Sequence, residues 1–239
     1  PRPDVLLPRF GATIKEYGLT AVRHFELMGI PIVNSYESIL LARNKFLTLQ
    51  SLTRKGIPVP ETLYASNWAN FTEAVSRLGG FPVVVKISQS RQGSGVLRID
   101  SAASSRHLLQ GRLQRDRGVL VQTYFPPQGR RDLRLLVVGK EVVGAMELTP
   151  GKGEFRANVH LGGKAAKAET SREMSSLALR SARAIGLDIA GIDVIEDLRG
   201  VMRVVEVNYS PGFKGFEGCT GIDVAQRIIG HAVRKAEGT

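Results

Sequence analysis

Short apolar alternations separated by glycine and proline give this chain its outline. Val83–Ile87 reads as a buried strand, with Val96–Ile99 and Val119–Tyr124 as further strands. Leu133–Val138 and Glu141–Leu148 flank Gly139-Lys140, which predicts a hairpin. Ile189–Ile195 and Met202–Val207 form a second such pair, turning through Asp197–Gly200. Period-3.6 patterns predict helices over Tyr17–Met28, Asn44–Lys55, Ser101–Gln114 and the C-terminal stretch carrying Ala225, Ile228, Ile229, Ala232 and Val233. Asn70 with Glu73, and Thr170 with Glu173, have the spacing of capping boxes. Val5–Leu7 and Ile32–Val33 read as short strands, with a helical stretch near Ser35–Leu41. Two short strands make a poor sheet alone, so residues 1–41 read as the end of an α/β unit whose beginning lies outside this sequence. Hairpins mixed with helices predict α+β modules rather than one parallel sheet.

Composition narrows the class. At 239 residues with 43% hydrophobic and 23% charged positions, the chain is long enough for a sizeable core. The lone cysteine, Cys219, excludes an intrachain disulfide and a cysteine-built zinc site, and reads as incidental. No apolar run nears the roughly 20 residues of a membrane span. Together these predict a cytoplasmic protein. The net charge of +11 favours acidic partners: nucleotides, carboxylates, acidic peptides or nucleic acid. A basic nucleic-acid-binding module is one reading, but Trp68 and the phenylalanines do not interleave with basic residues. Walker A, dinucleotide-binding, zinc-protease and nucleophile-elbow motifs are missing from the sequence.

Three constellations carry candidate chemistry. In Glu206-Val207-Asn208-Tyr209-Ser210-Pro211-Gly212, strand alternation puts Glu206 and Asn208 on one face. If the last two strands pair, Asp193 meets Glu206 across the hairpin. The resulting hard oxygen donors suit Mg²⁺. Read alone, they also fit two solvated faces of an edge hairpin. Lys86 leaves a buried strand straight into Ser88–Gly95, where glycine lets backbone N–H groups approach a phosphate. A lysine snorkelling from a strand end is the alternative. Arg156-Ala157-Asn158 lies among glycines and offers an anion-binding guanidinium, or is a solvated loop. Asp132, in Arg130-Arg131-Asp132-Leu133-Arg134, can accept ribose hydroxyls or pair with its neighbours.

The order of these segments resembles the ATP-grasp superfamily, and within it the RimK-type glutamate ligases. It runs from Leu7-Pro8-Arg9 through Asn44-Lys45, Gly56–Pro60, Val83–Lys86, Gln92–Val96, Val121–Tyr124, Asp132–Arg134, Arg156–Asn158 and Gly191–Asp193 to Glu206–Gly212 and Thr220–Asp223. The resemblance implies a partial pre-ATP-grasp α/β segment over 1–41 and two α+β subdomains, 42–122 and 123–239, clasping ATP. It implies Lys45 and Lys86 on the phosphates, Gln92 also on ATP, a lid over Gly93–Gly95, backbone groups of Thr123 and Tyr124 on adenine, and Asp132 on ribose. It implies Asp193, Glu206 and Asn208 on two Mg²⁺ ions, with Mn²⁺ as a substitute. Arg156 and Asn158 would face the γ-phosphate and acyl centre, with Arg134, Ser210 and Gly212 on the substrate. Thr123 stands where the family usually has Glu. The implied reaction joins glutamate to an acidic peptide or small-molecule acceptor, such as a ribosomal-protein tail, through an acyl phosphate with ADP and phosphate released. Ligases of lysine biosynthesis or coenzyme glutamylation share that chemistry. The resemblance also implies a homo-oligomer, a tetramer by analogy.

Overall fold

Two antiparallel sheets, each built around the apolar alternations above, face one another across a cleft. The computed structural model describes residues 2–10, 16–87, 95–109, 111–115, 118–157 and 162–238.

In the N-terminal segment the two expected strands contract to one parallel bridge, Leu6 to Ile32. Helices α1 (Glu16–Leu27) and α2 (Tyr36–Arg43) follow. Between them the buried Asn34 makes four hydrogen bonds. It accepts from the Asp188 and Ile189 N–H groups at 2.6 and 2.8 Å, and donates to the Ile189 and Tyr209 carbonyls, each at 2.8 Å. Its amide is thereby fully used, and it ties this segment to Tyr209, beside Asn208 at the end of the Glu206–Asn208 strand.

Helix α3 (Lys45–Arg54) leads into the first sheet. That sheet contains β1 (Thr62–Ala65), β2 (Val83–Lys86), β3 (Val96–Ile99) and β4 (Val119–Thr123), in the order β1-β4-β2-β3. Val83, Val85, Val119 and Val121 pack against Phe71, Ala74 and Leu109 of the covering helices, while Val84 and Lys86 face the cleft. Helix α4 (Trp68–Arg77) is capped by Asn67, whose side chain accepts from the Asn70 N–H. Asn70 is therefore inside the first turn, and the expected Asn70–Glu73 box is not formed. The helix expected over 101–114 divides into α5 (Ala102–Leu109) and α6 (Arg112–Arg115), with Gly111 at φ +71° between them.

The second sheet holds β5 (Arg131–Val138), β6 (Glu141–Thr149), β7 (Lys164–Ala168), β8 (Ile189–Glu196) and β9 (Met202–Asn208), ordered β7-β6-β5-β8-β9. Helix α7 (Arg172–Ile185) covers one face with Met174, Leu177, Ala178, Ala182 and Ile185. Its cap is Ser171, which accepts from Met174, one residue beyond the expected Thr170. Helices α8 (Lys214–Thr220) and α9 (Val224–Ala236) cover the other face through Phe216, Val224, Ile228 and Ala232. They reach Leu136, Val138 and Ile189. Asp132, Arg134 and Asp193 share that face by strand alternation, but line the cleft instead. Among the described residues no helix is long and apolar enough to cross a membrane.

Candidate active site

The cleft holds about 680 Å³. The first sheet lends it Val84, Lys86, Val96, Gln122 and Thr123, and the second Asp132, Arg134, Asp193, Glu206 and Asn208. Lys45 enters from the start of α3, and the 155–157 and 210–212 segments close the sides. Each charged group is positioned by local chemistry. Asn44 caps α3 by accepting from the Phe46 and Leu47 N–H groups at 3.0 and 3.2 Å, which fixes Lys45 at the first helical position. The β8–β9 turn is held by Asp197, which accepts from the Arg199 and Val201 N–H groups at 2.9 and 3.0 Å. That turn sets a register placing Asp193 opposite Glu206 and Gly191 opposite Asn208. Gly191 is required here: a Cβ would lie 2.9 Å from the Cβ of Pro211, where the 210–212 segment folds back over β8.

Cations and carboxylates interlock. Lys45 Nζ donates to Glu206 Oε1 at 2.9 Å. Arg134 grips Asp193 with two parallel bonds of 2.6 and 2.7 Å, and the Asn208 amide reaches Asp193 Oδ2 at 3.3 Å. Lys86 is buried at the end of β2, with Nζ 3.4 Å from the Val205 carbonyl. Burial pulls its pKa down to about 8, against the attraction of Glu206, and neighbouring Lys45 adds to the fall. Glu206 is surrounded by protein but keeps 41% of its side-chain surface open, on the cleft side. Burial pushes its pKa up, yet Lys45, Lys86 and Arg134 together more than reverse that, and the carboxyl sits below its usual range. The Asp193 charge, opposed by burial, raises Arg134.

Among the described residues no group of three His, Cys, Asp or Glu side chains could hold a metal ion. Mg²⁺ commonly uses only one or two protein carboxylates and takes its other oxygens from water and substrate phosphates. Asp193, Glu206 and the Asn208 carboxamide supply a donor set of that kind.

The remaining expected site residues divide. Gly95 is buried, and its carbonyl accepts from Ile87 N–H at 2.9 Å. Gln92, Gly93 and Asn158 lie outside the described residues. Ser210 and Gly212 line the cleft. Thr123 also lines it, but its N–H donates to the Glu61 carbonyl at 3.0 Å, so that amide is already used. Tyr124 turns its ring to Arg98, whose guanidinium lies 4.8 Å from the ring centroid, and is outside the lining. Asp132 is paired with Arg130 at 2.9 Å, and burial raises its pKa against the pull of that arginine.

The arginines around the cleft are paired in place. Arg131 bridges Glu147 and Glu196, and Arg156 grips Glu154. Cys219 belongs to α8, and burial raises its thiol pKa, away from activation. Three contributors escaped the sequence reading. Arg130 forks to the Phe125 and Phe155 carbonyls, Glu154 holds Arg156, and Arg9 donates to the Pro211 carbonyl at 2.6 Å with its guanidinium 5.3 Å from the Phe213 ring centroid. The Arg130-Arg131-Asp132 and Glu154-Phe155-Arg156 spacings carried a local signal; the Arg9 contact, 202 residues apart, carried none.

Comparison with known proteins agrees with this architecture. Residues 42–232 match the RimK-like ATP-grasp domain, and residues 1–39 the RimK pre-ATP-grasp domain. A probable alpha-L-glutamate ligase of Legionella pneumophila (strain Corby) is 38% identical over 237 residues, 99% of this chain and 78% of the relative. One from Syntrophotalea carbinolica is 40% identical over 226 residues, covering 95% and 75%. Among solved structures, the RimK domain protein ATP-grasp from Sphaerobacter thermophilus superimposes with a TM-score of 0.73 at 24% identity, over 96% of this chain and 81% of that one. The ATP-grasp ligase PsnB, complexed with a phosphomimetic precursor variant, Mg and ADP, gives 0.77 at 19% identity, over 98% and 80%. Two sheets clasping a charged cleft, and sequence identity of this extent, have one common explanation: the chain belongs to the RimK-like ATP-grasp family of ATP-dependent ligases.

Proposed function

We propose that the protein joins the amine of glutamate to a carboxylate of an acidic acceptor, a glutamate-ended peptide tail such as that of a small-subunit ribosomal protein. The observation that carries this reading is the meeting of Lys45 and Lys86 with Asp193, Glu206 and Asn208 in one cleft between two sheets. Positioned cations over phosphates, and hard oxygen donors beside them, are what phosphoryl transfer to a carboxylate needs. Residues 42–122 and 123–239 are the two subdomains on this reading, with 1–41 the pre-ATP-grasp segment.

In this assignment Lys45 and Lys86 neutralise phosphate oxygens, and the segment ending at Gly95, with Gln92 and Gly93, covers them. A backbone carbonyl near Thr123 and Tyr124 meets adenine, while Asp132, held by Arg130, accepts from ribose. Asp193, Glu206 and Asn208 would hold two Mg²⁺ ions, or Mn²⁺, which supply charge neutralisation when bound. Arg156 and Asn158 address the γ-phosphate, and Arg134, Ser210 and Gly212 the acceptor end. The acceptor carboxylate oxygen attacks the γ-phosphorus as the bond to ADP breaks. The glutamate amine then attacks the acyl carbon, loses a proton, and expels phosphate.

The experiment is product analysis with glutamate and a glutamate-ended peptide. ADP, phosphate and a peptide lengthened by glutamate are expected. AMP with pyrophosphate, or ADP release indifferent to acidic acceptors, would refute the proposal.

A further inference from the structure

Glu154 sits in the segment between β6 and β7 and is tied down by its own neighbours. Its Oε1 accepts from the Phe155 and Arg156 backbone N–H groups at 2.8 and 3.0 Å. The same carboxylate takes Arg156 Nε at 3.0 Å on Oε1 and Nη2 at 2.6 Å on Oε2. The Arg156 side-chain bond, strengthened by the two backbone bonds against the effect of burial, holds the carboxyl at about 2. Glu154 is therefore ionised at any working pH.

The result is directional. One edge of the guanidinium, Nε–Nη2, is engaged by Glu154. The remaining nitrogen, Nη1, reaches across the cleft to the first sheet and donates to the Val96 carbonyl at 3.4 Å. Val96 opens β3, immediately after the glycine-containing segment. Arg156 thus extends from a segment of the second sheet to the strand that follows the candidate phosphate-covering loop. What the geometry does provide is a long side chain held in one orientation.

We propose that Glu154 is a positioning residue: it fixes the Nε–Nη2 edge of Arg156 so that Nη1 is presented to the phosphoryl group in transit between the two sheets. This rests on the role given to Arg156 above. Glu154 touches no substrate and acts only through Arg156. Donors aimed in advance at developing charge act chiefly on the transition state, and a misplacement of about 1 Å costs about a hundredfold. Glu154→Gln keeps the shape but loses the charge and should lower kcat about tenfold. Glu154→Ala should lower it about 30- to 100-fold. The KM for Mg·ATP should move much less in both.

The test is a double-mutant cycle in steady-state kinetics: wild type, Glu154→Ala, Arg156→Ala and the double variant, with thermal midpoints as the folding control. If Glu154 works through Arg156, its truncation changes turnover by less than about twofold once Arg156 is gone. The same fold-loss in both backgrounds would overturn the proposal, as would an effect confined to KM. Glu154→Gln runs the identical cycle should the alanine variant fold poorly. Arg156→Ala with wild-type turnover would overturn both this inference and the role assigned to Arg156. An impaired Arg156→Ala with an independent Glu154 effect would overturn this inference alone.

Discussion

Replacing Asp193 by Asn removes one charge from a bidentate pair and leaves Arg134 facing a neutral amide. Breaking a fully buried pair costs about 3–5 kcal/mol. Here the two side chains are 30% and 19% exposed, so water reaches both and the cost falls to about 2–3 kcal/mol. For a chain of this length that is a drop in thermal midpoint of about 4–12 °C. Arg134→Met strands the opposite charge and should cost a similar amount. The double variant, Arg134→Met with Asp193→Asn, leaves neither charge alone. It should recover most of the loss, a coupling of about 2 kcal/mol in the cycle. Activity must behave differently. Asp193→Asn and the double variant should both lose at least about a hundredfold in ADP release, because neither restores the carboxylate. Ligand-linked stabilisation supplies an independent readout. Mg·ADP at 100 times its Kd raises wild-type stability by about 2.7 kcal/mol, and the same concentration should raise either Asp193 variant by far less. Thermal unfolding with and without Mg·ADP, beside an ADP-release assay, measures all of this. Single-variant losses that simply add would refute the claim that Arg134 and Asp193 form one energetic unit. Wild-type turnover in Asp193→Asn would refute the metal assignment.

Three further outcomes follow from the charges of the protein. Lys86 titrates near 8 when free, below the ordinary lysine value, so its positive charge is lost as pH rises through about 8; Mg·ATP affinity should then weaken, up to about tenfold per pH unit, and Lys86→Met should abolish that dependence. The linkage also has a stability sign: between about 8 and about 10.5 the unfolded chain binds the proton and the folded one does not, so stability should rise with pH there and the rise should vanish in Lys86→Met. The net charge of +11, with Arg9 meeting a carbonyl and a ring among the described residues, should make acceptor KM rise several-fold from low to high salt while ATP KM changes less; a flat acceptor KM over a salt series would refute this.

The site was legible where one element determined it. Period-2 alternation alone put Glu206 and Asn208 together, and a turn-forming Asp197–Gly200 placed Asp193 opposite Glu206. The pairs that govern the charge balance were not legible. Arg134–Asp193 spans 59 positions and Lys45–Glu206 spans 161, so both depend on the order of strands in the sheet. Elsewhere local propensity and the fold disagree. Lys164–Ala168, Lys-Ala-Ala-Lys-Ala, favours helix, yet it forms edge strand β7, whose lysines suit a strand with one unpaired side. Lys214–Thr220 contains two glycines, yet the buried Phe216 anchors it as helix. Helix caps slipped because Asn67 and Asn70, or Thr170 and Ser171, offer equivalent side chains, and only packing of the next turn chooses between them.

The interlocked pairs also bear on the order in which ligands arrive. At the proposed metal site Lys45, Lys86 and Arg134 face Asp193 and Glu206. Each cation proposed for phosphate or substrate thus lies beside a carboxylate proposed for metal, and keeps it compensated. Binding nucleotide alone would draw Lys45 and Lys86 toward phosphate and leave Glu206 against like charge. Releasing the carboxylates to a metal alone would leave Lys45 and Arg134 as unpaired cations beside added positive charge. A joint exchange, carboxylates to metal and cations to phosphate, leaves each of these five charges with a partner. On the proposed assignment the resting salt bridges therefore couple the two ligands, each raising the affinity of the cleft for the other by the same factor.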